Sequence, residues 1–373
     1  MRIGILTYHR AYNYGAYLQA CALCGRLNRE DGIEAEIIDY RMQKEVNFYE
    51  QRNYSIKQKL RRLLYGTYSF KRSFGNSMKK ALDNPCMVLS KDSLTDDSIE
   101  AFASFVDNKY DVIVVGSDEV WKVDNFRGFP TAYWLFGDLH CRKFSYAASA
   151  RVEFKRALSE ADYGKLKSAL ADFEYIGVRD EYTKREVGAA VGATANVHLC
   201  CDPSFLFDFD VPASDIFNRI SRKRGYRRGS KTILVMLDNE AAAQYIRREL
   251  GDRYNLVSVY NPHKGYINCP DVDPFEWLFL IQNTDFVIAS FFHAICFSII
   301  NNRPFLAIGT KGKKSKLTEL LGTPELMRHY IEIEDQPGLT TMVDDVMDSG
   351  ESFDGYVSIQ RESFASFLKQ LQG

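Results

Sequence analysis

Residues 285–308, DFVIASFFHAICFSIINNRPFLAI, read as strand, short turn, helix and strand, with His293 where the first strand hands over to the helix. The apolar runs on either side are continuous rather than alternating, as in parallel strands buried on both faces. In an open α/β sheet, ligands bind in the crevice outside the carboxyl ends of the strands, where helix N-termini converge. A histidine at such a turn either caps its helix or faces an anion, because the first-turn N–H groups and the helix dipole favour negative charge there.

The same rhythm continues outward. Upstream come a strand at Thr232–Leu237, a helix running to about Leu250, a strand at Tyr254–Tyr260, the loop NPHKGYINCP carrying His263, and a helix at Pro274–Gln282. Downstream, Pro304–Ile308 closes the sheet, and Lys311, Lys313, Lys314 and Lys316 precede a helix from about Leu317, a second place suited to phosphate. The first half repeats the alternation. Strands are expected at 2–7, Ala35–Tyr40, Tyr110–Gly116, Lys143–Ala147, Tyr175–Arg179 and Asn196–Cys200, with helices at 15–30, Glu160–Phe173 and Glu181–Ala190. The loop after the first strand, YHRAYNYGA, sets Asn13, Tyr14 and Gly15 at a helix start and leaves His9 at a strand end. It lacks the GxGxxG spacing of a dinucleotide site. The strand Tyr110–Gly116 delivers Ser117, Asp118, Glu119 and Trp121 at its carboxyl end.

These elements predict an α/β protein of two Rossmann-like domains facing a cleft. The expected boundaries are 1–207 for the N-terminal domain, 208–230 for a linker rich in arginine and glycine, and 231–350 for the C-terminal domain. Residues 351–373 form a helix bracing the N-terminal domain, through Phe353, Tyr356, Ile359, Phe364 and Phe367. One insertion, 44–85, interrupts the first domain. Within it, residues 51–82 hold nine Lys or Arg and no Asp or Glu, interleaved with Leu60, Leu63, Leu64, Tyr65, Tyr68, Phe70 and Phe74. It reads either as a helical excursion with its apolar stripe packed and its charges solvated, or as a segment touching an anionic membrane.

Composition removes whole classes of function. A net charge of −1 gives no electrostatic case for bulk nucleic-acid binding. No apolar run reaches the ~18 residues of a membrane-spanning helix, and MRIGILTYHR has no signal-peptide architecture, so a cytoplasmic setting is expected. The eight cysteines form no framework of pairs. Cys21 and Cys24 make a CxxC inside the helical stretch QACALCGRL with no second pair, so they read as core thiols, and no metal is expected.

Taken together, several segments resemble the polysaccharide pyruvyltransferase family. They are ILTYHRAYNYGAYLQACAL, VVGSDEVW, FSYAAS, GVRDEYT, DPSFLF, DPFEWLFLI, SFFHAICFSI and SKLTELL, in this order from Met1 to about Leu321. The resemblance implies a GT-B-like arrangement and transfer of pyruvate from phosphoenolpyruvate onto two sugar hydroxyls as a ketal, with no cofactor beyond that donor. It implies His293 as the acid for the enol methylene or as a phosphate contact. It places Arg179, Phe292 and Lys316 at the donor, although Arg179 also reads as a surface ion pair with Asp180 or Glu181. Asn13, Tyr14, Gly15, Ser117 and Trp121 would line the acceptor side, with Asp118 as base. Against these stand a core tryptophan at 121 and a helix cap at 118, while His9 and His263 are weaker base candidates. The acceptor would be a sugar of a surface glycan or its lipid-linked precursor, at the inner face of the membrane. Other readings are a GT-B-type glycosyltransferase using a nucleotide sugar, and a non-catalytic glycan-binding relative. The chain departs from the family at Phe291, where many members carry arginine or a small hydroxyl residue. It also carries Glu119 and Lys122 where glutamine and asparagine are usual.

Overall fold

The structure is a computed structural model that describes residues 1–50, 67–192, 196–309, 314–332 and 338–373. Two compact units emerge. The first is built from described residues within Met1–Tyr54, Leu82–Asp208 and Ser358–Gly373, and the second from those within Ser55–Ala81 and Phe209–Val357.

The first unit holds a parallel sheet of β1 (Arg2–Leu6), β2 (Glu34–Arg41), β3 (Leu89–Thr95), β4 (Val112–Val115), β5 (Arg142–Ala148), β6 (Tyr175–Val178) and β7 (Val197–Leu199). Their order across the sheet is β3-β2-β1-β4-β5-β6-β7. β1 and β4 are buried along nearly their whole length, which explains the IGIL of β1 and the unbroken VIVV of β4. β3, LSKDSLT, is an edge strand with mostly exposed side chains, so no apolar run announces it.

The second unit repeats the plan with β8 (Thr232–Met236), β9 (Asn255–Ser258), β10 (Ile267–Asn268), β11 (Phe286–Ala289), β12 (Phe305–Gly309) and β13 (Tyr330–Glu332). Their order is β10-β9-β8-β11-β12-β13. Both sheets therefore place their first and fourth strands side by side, at the point where the winding reverses direction. That reversal opens the binding crevice of a Rossmann fold. In the first unit it lies between β1 and β4, and in the second between β8 and β11.

The helices that matter for the site are α1 (Tyr14–Leu27), α2 (Gln43–Tyr49), α3 (Thr67–Ala81), α4 (Glu240–Leu250), α5 (Phe292–Ile300), α6 (Lys314–Leu320) and α7 (Asp354–Gln372). Cys21 and Cys24 are buried in α1, and burial pushes the Cys24 thiol up to about 12. Both are the core thiols expected.

α3 covers part of the basic insertion, which the sequence reading assigned wholly to the first domain. It groups instead with the second unit, burying Phe70, Phe74 and Met78 and setting the Phe74 ring 5.2 Å from that of Tyr260. Here the packed-stripe reading describes what the apolar residues do; residues 51–66 lie outside the described residues. The span expected as linker contains a short helix, Ile216–Ser221, with Ile216 and Ile220 buried. Within the first unit, Phe367 of α7 packs edge-on against Tyr146 and Tyr175, at 4.9 and 5.4 Å between centroids. Arg142 holds the Leu371 and Gln370 carbonyls at 2.9 and 3.1 Å.

Candidate functional site

At the winding reversal of the first unit, the chain leaves β1 through Thr7–Asn13 and leaves β4 through Ser117–Asp118. Asn13 caps α1, its side-chain oxygen accepting from the Gly15 and Ala16 amides at 2.9 and 3.2 Å. That cap ties Asn13 and Gly15 to the loop's own geometry, while Tyr14 is buried in the core. The β4 turn needs its glycine. Gly116 has φ +118, and a Cβ there would meet the Tyr146 carbonyl oxygen at 2.2 Å. Asp118 follows at φ 78 in the left-handed region, with its carbonyl accepting from Ser149 N at 2.9 Å and its side chain partly exposed. The helix-cap reading of Asp118 is replaced by a local turn in which its carboxylate accepts from Glu119 N at 2.9 Å. The two departures from the family meet each other, Lys122 pairing with Glu119 at 3.8 Å.

Ser117, Asp118 and Arg179 are brought together, but not as expected. Arg179 is 4% exposed and pairs with Asp202 at 2.8 Å and Asp118 at 3.6 Å. Burial alone would lower its pKa; Asp202 and Asp118 outweigh that and raise it, so the guanidinium stays charged. This is a buried pair in the first unit, not the surface ion pair with Asp180 or Glu181. Asp202 is satisfied further by Ser117 Oγ at 3.3 Å and by the Ser204 amide and hydroxyl at 3.0 and 2.7 Å. Trp121 also requires correction as a sugar platform. It is fully buried, stacked on Trp134 at 5.2 Å, and donates its indole N–H to the Tyr133 carbonyl at 3.0 Å. His9 is buried with both ring nitrogens on acceptors, Thr7 O at 3.2 Å and Asp39 Oδ1 at 3.0 Å. Burial would raise the Asp39 carboxyl, but the hydrogen bonds from His9 and Arg10 hold it well below the usual range.

At the reversal in the second unit, β8 leads to Asp238 and β11 to Ser290, whose hydroxyl donates to Asp238 Oδ1 at 3.2 Å. α5 starts immediately afterwards. Its N-cap residue is Phe291, which provides no side-chain cap. A helix start at a strand end directs backbone amides and the positive end of the helix dipole outward, the property that makes helix N-termini anion sites. His293 stands in that turn, 6% exposed, with the Phe292 ring 5.3 Å from its own. Lys316, on α6, sets its ammonium 5.2 Å from the centre of the Phe292 ring. Phe292 thus neighbours both His293 and Lys316. Of the other lysines, Lys311 and Lys313 lie outside the described residues. His263 is held away from base chemistry by Glu240 at 2.6 Å and the Leu237 carbonyl at 3.3 Å.

Sequence reasoning missed Lys71. From α3 it reaches the carboxyl end of β9, donating to the Tyr260 carbonyl at 3.1 Å and Asn261 Oδ1 at 2.9 Å, while the Tyr260 ring lies 4.6 Å from Phe291. Asp202 and Asp39 were missed as well. DPSFLF displayed Asp202 in plain sight, but only the fold shows that it answers Arg179.

A family model described as polysaccharide pyruvyl transferase matches residues 13–312. No curated protein matches the chain. Among solved structures, UDP-GlcNAc 2-epimerase from Methanocaldococcus jannaschii superposes with TM-score 0.54 and 13% identity over 93% of each chain. UDP-GlcNAc 2-epimerase from Neisseria meningitidis bound to UDP-GlcNAc gives 0.51 and 10% over 100% of each. UDP-N-acetylglucosamine 2-epimerase from Rickettsia bellii gives 0.52 and 9% over 100% of this chain and 95% of the other. Likeness at such identity speaks for the fold, a GT-B-like pair of Rossmann-like domains.

Proposed function

The chain belongs to the polysaccharide pyruvyl transferase family, and from that premise we propose that it transfers pyruvate from phosphoenolpyruvate to two hydroxyls of a surface-glycan sugar or its lipid-linked precursor. One sugar hydroxyl adds to C2 of the enol while the methylene carbon takes up a proton and becomes methyl. The second hydroxyl then displaces phosphate, closing the ketal and releasing inorganic phosphate. His293 is the acid for the methylene or the phosphate contact, and Asp118 takes a hydroxyl proton.

The observation carrying this reading is the start of α5 at the β8/β11 reversal, with His293 in its first turn and Lys316 against the neighbouring Phe292 ring. A small, dense anion suits that place, because oriented amides and cations are strongest where water is excluded. Phe291 cannot grip a phosphate or carboxylate; Lys71 is the cation we assign in place of the arginine that other members carry there.

The fold neighbours' link to UDP-GlcNAc keeps a nucleotide-sugar glycosyltransferase as the second reading. Against it, the carboxyl end of β9 presents Val259, Tyr260 and Asn261, with no acidic residue for a ribose. Calorimetry with phosphoenolpyruvate and UDP-GlcNAc, on wild type and His293→Ala, separates the readings. Phosphoenolpyruvate is expected to bind wild type and to bind the variant at least tenfold more weakly. Tight UDP-GlcNAc binding without phosphoenolpyruvate binding turns the assignment to the second reading, and equally poor phosphoenolpyruvate binding by both proteins favours a non-catalytic relative.

We place the reaction in the cytoplasm, at the inner membrane face when the acceptor is lipid-linked. None of the described helices is long and apolar enough to cross a membrane, so contact would be peripheral, through basic residues of 51–82. Glutamate at Lys57, Arg61 and Arg62 should lower co-sedimentation with anionic vesicles; unchanged sedimentation removes that contact.

A further inference from the structure

Phe48 and Phe126 are 53% and 40% exposed, and they are stacked on each other, 4.2 Å apart at 9°. Isolated exposed rings are ordinary on protein surfaces. This pair is held in place by two neighbours. Tyr49 meets both rings edge-on, at 5.1 and 6.4 Å, and the Arg127 guanidinium lies 4.4 Å from the Phe126 centroid. Arg127 is itself fixed by a buried ion pair with Glu45 and by the Tyr8 ring at 3.8 Å. Glu45 in turn bonds the Met42 amide at the start of α2, the helix that carries Phe48. Both rings are thus anchored to one guanidinium and one short helix, so little conformational freedom remains to be lost on binding.

On the other side of Tyr49, at the carboxyl end of β1, is a cavity of about 20 Å³, room for a single water, whose lining includes Tyr8, Arg10, Tyr12, Tyr49 and Glu50. The Tyr12 ring stands 5.6 Å from Tyr49 and ties cavity and platform together. One face of Phe126 lies against Phe48 and the other under Arg127, so the ring left to meet a ligand is Phe48, and an aromatic ring rigidly held beside polar groups suits a pyranose, which presents an apolar C–H face with hydroxyls at its edge. Two rings are far too little for a protein partner, whose interface needs roughly 800 Å² per side.

We propose that the outward side of Phe48, backed by Phe126, forms a subsite for a pyranose ring of the acceptor glycan, next to the sugar that is modified. This rests on the glycan-acceptor reading above and extends it to longer saccharides. The subsite contributes binding shared by ground and transition states, so its loss acts on acceptor affinity and not on the chemical step.

The test uses the full chain on an array of bacterial surface polysaccharides, with Phe48→Ser/Phe126→Ser and Phe48→Trp compared to wild type. Wild type is expected to bind at least one saccharide, the double variant to lose that signal at least tenfold, and Phe48→Trp to retain it. Circular dichroism and phosphoenolpyruvate calorimetry on the double variant are expected to match wild type. Binding of array saccharides that is indifferent to the double substitution overturns the subsite, as does absence of any array binding or loss of anionic-vesicle binding alone. If array binding depends on the pair while wild type ignores phosphoenolpyruvate, the subsite stands and the pyruvyl-transfer reading falls.

Discussion

Asp202→Asn removes the nearer of the two carboxylates that answer the buried Arg179 guanidinium. Breaking a buried pair from one side costs about 3–5 kcal/mol, whereas replacing both partners with apolar residues of similar size costs much less. Urea unfolding should therefore show a large loss for Asp202→Asn and a smaller one for Arg179→Met/Asp202→Leu; equal losses would contradict the pairing. Asp39 makes a pH-dependent contribution. Its folded-state pKa is depressed, so its stabilisation is complete above the unfolded value of about 3.9 and fades as pH falls through the folded value. Asp39→Asn should thus be less stable than wild type at pH 7 by about 1–3 kcal/mol, and the gap should narrow steadily in melts taken below pH 4. For Trp121, a core role predicts that Trp121→Phe keeps saccharide binding while lowering the melting temperature; a selective loss of binding would restore the sugar-platform reading. At this scale the sequence discloses which residues stand at strand ends, since Ser117, Asp118 and His293 follow apolar runs directly. It does not disclose partners. Nothing near Arg179 in the chain announces Asp202, over twenty residues later, as its partner, and nothing local distinguishes a tryptophan stacked on Trp134 from one facing a sugar.

Elements follow the same division. Central strands were legible because burial on both faces forces continuous apolar runs, as in VIVV of β4 and FVIA of β11. β3 was not, since an edge strand with exposed side chains has the composition of a loop, and β10 and β13 are too short to carry a pattern. α3 was legible as a helix with an apolar stripe, but a stripe does not say which sheet it covers. The β4 turn supplies a prediction at this level. Gly116→Ala meets the Tyr146 carbonyl and a φ that side chains resist, so the turn must move, at a cost of roughly 1–3 kcal/mol. Thermal melts should register that loss, and pyruvyl transfer should fall further than stability alone explains, because Ser117 and Asp118 move with the turn. The start of α5 works the opposite way. Phe291→Ser would supply the missing cap, and a side-chain oxygen bonded to first-turn amides competes with a bound anion. Phe291→Ser should accordingly raise the melting temperature and weaken phosphoenolpyruvate binding together; a gain in both would show that the hydroxyl serves the donor.

Across the whole molecule, one strand order is used twice, and each use brings a different chemistry to the same topological place. The first unit offers carboxylate, guanidinium and aromatic faces; the second offers a helix start, a histidine and two lysines. Substitutions should sort accordingly. Lys71→Ala and Lys316→Ala should each weaken phosphoenolpyruvate binding about five- to tenfold, the loss of one charge-assisted contact partly compensated by water, and leave saccharide binding alone. Calorimetry with each ligand checks this, and a Lys71→Ala protein with unaltered phosphoenolpyruvate affinity would leave the donor to Lys316 and the amides of α5. The division into two Rossmann-like units was legible from alternating strands and helices, because a parallel sheet demands a crossover between neighbours. The allegiance of α3 was not, for its partner Tyr260 lies far along the chain.

The rings of Phe364 and Phe367 complete the core of the first sheet, yet ribosomes reach them only after the entire second unit has been made. The half that emerges first must wait, with Phe144, Tyr146 and Tyr175 short of their cover, while the half that emerges later has its own strands to hand. During synthesis the order of completion is therefore the reverse of the order of emergence, and the nascent first unit is the one whose apolar rings stay uncovered longest.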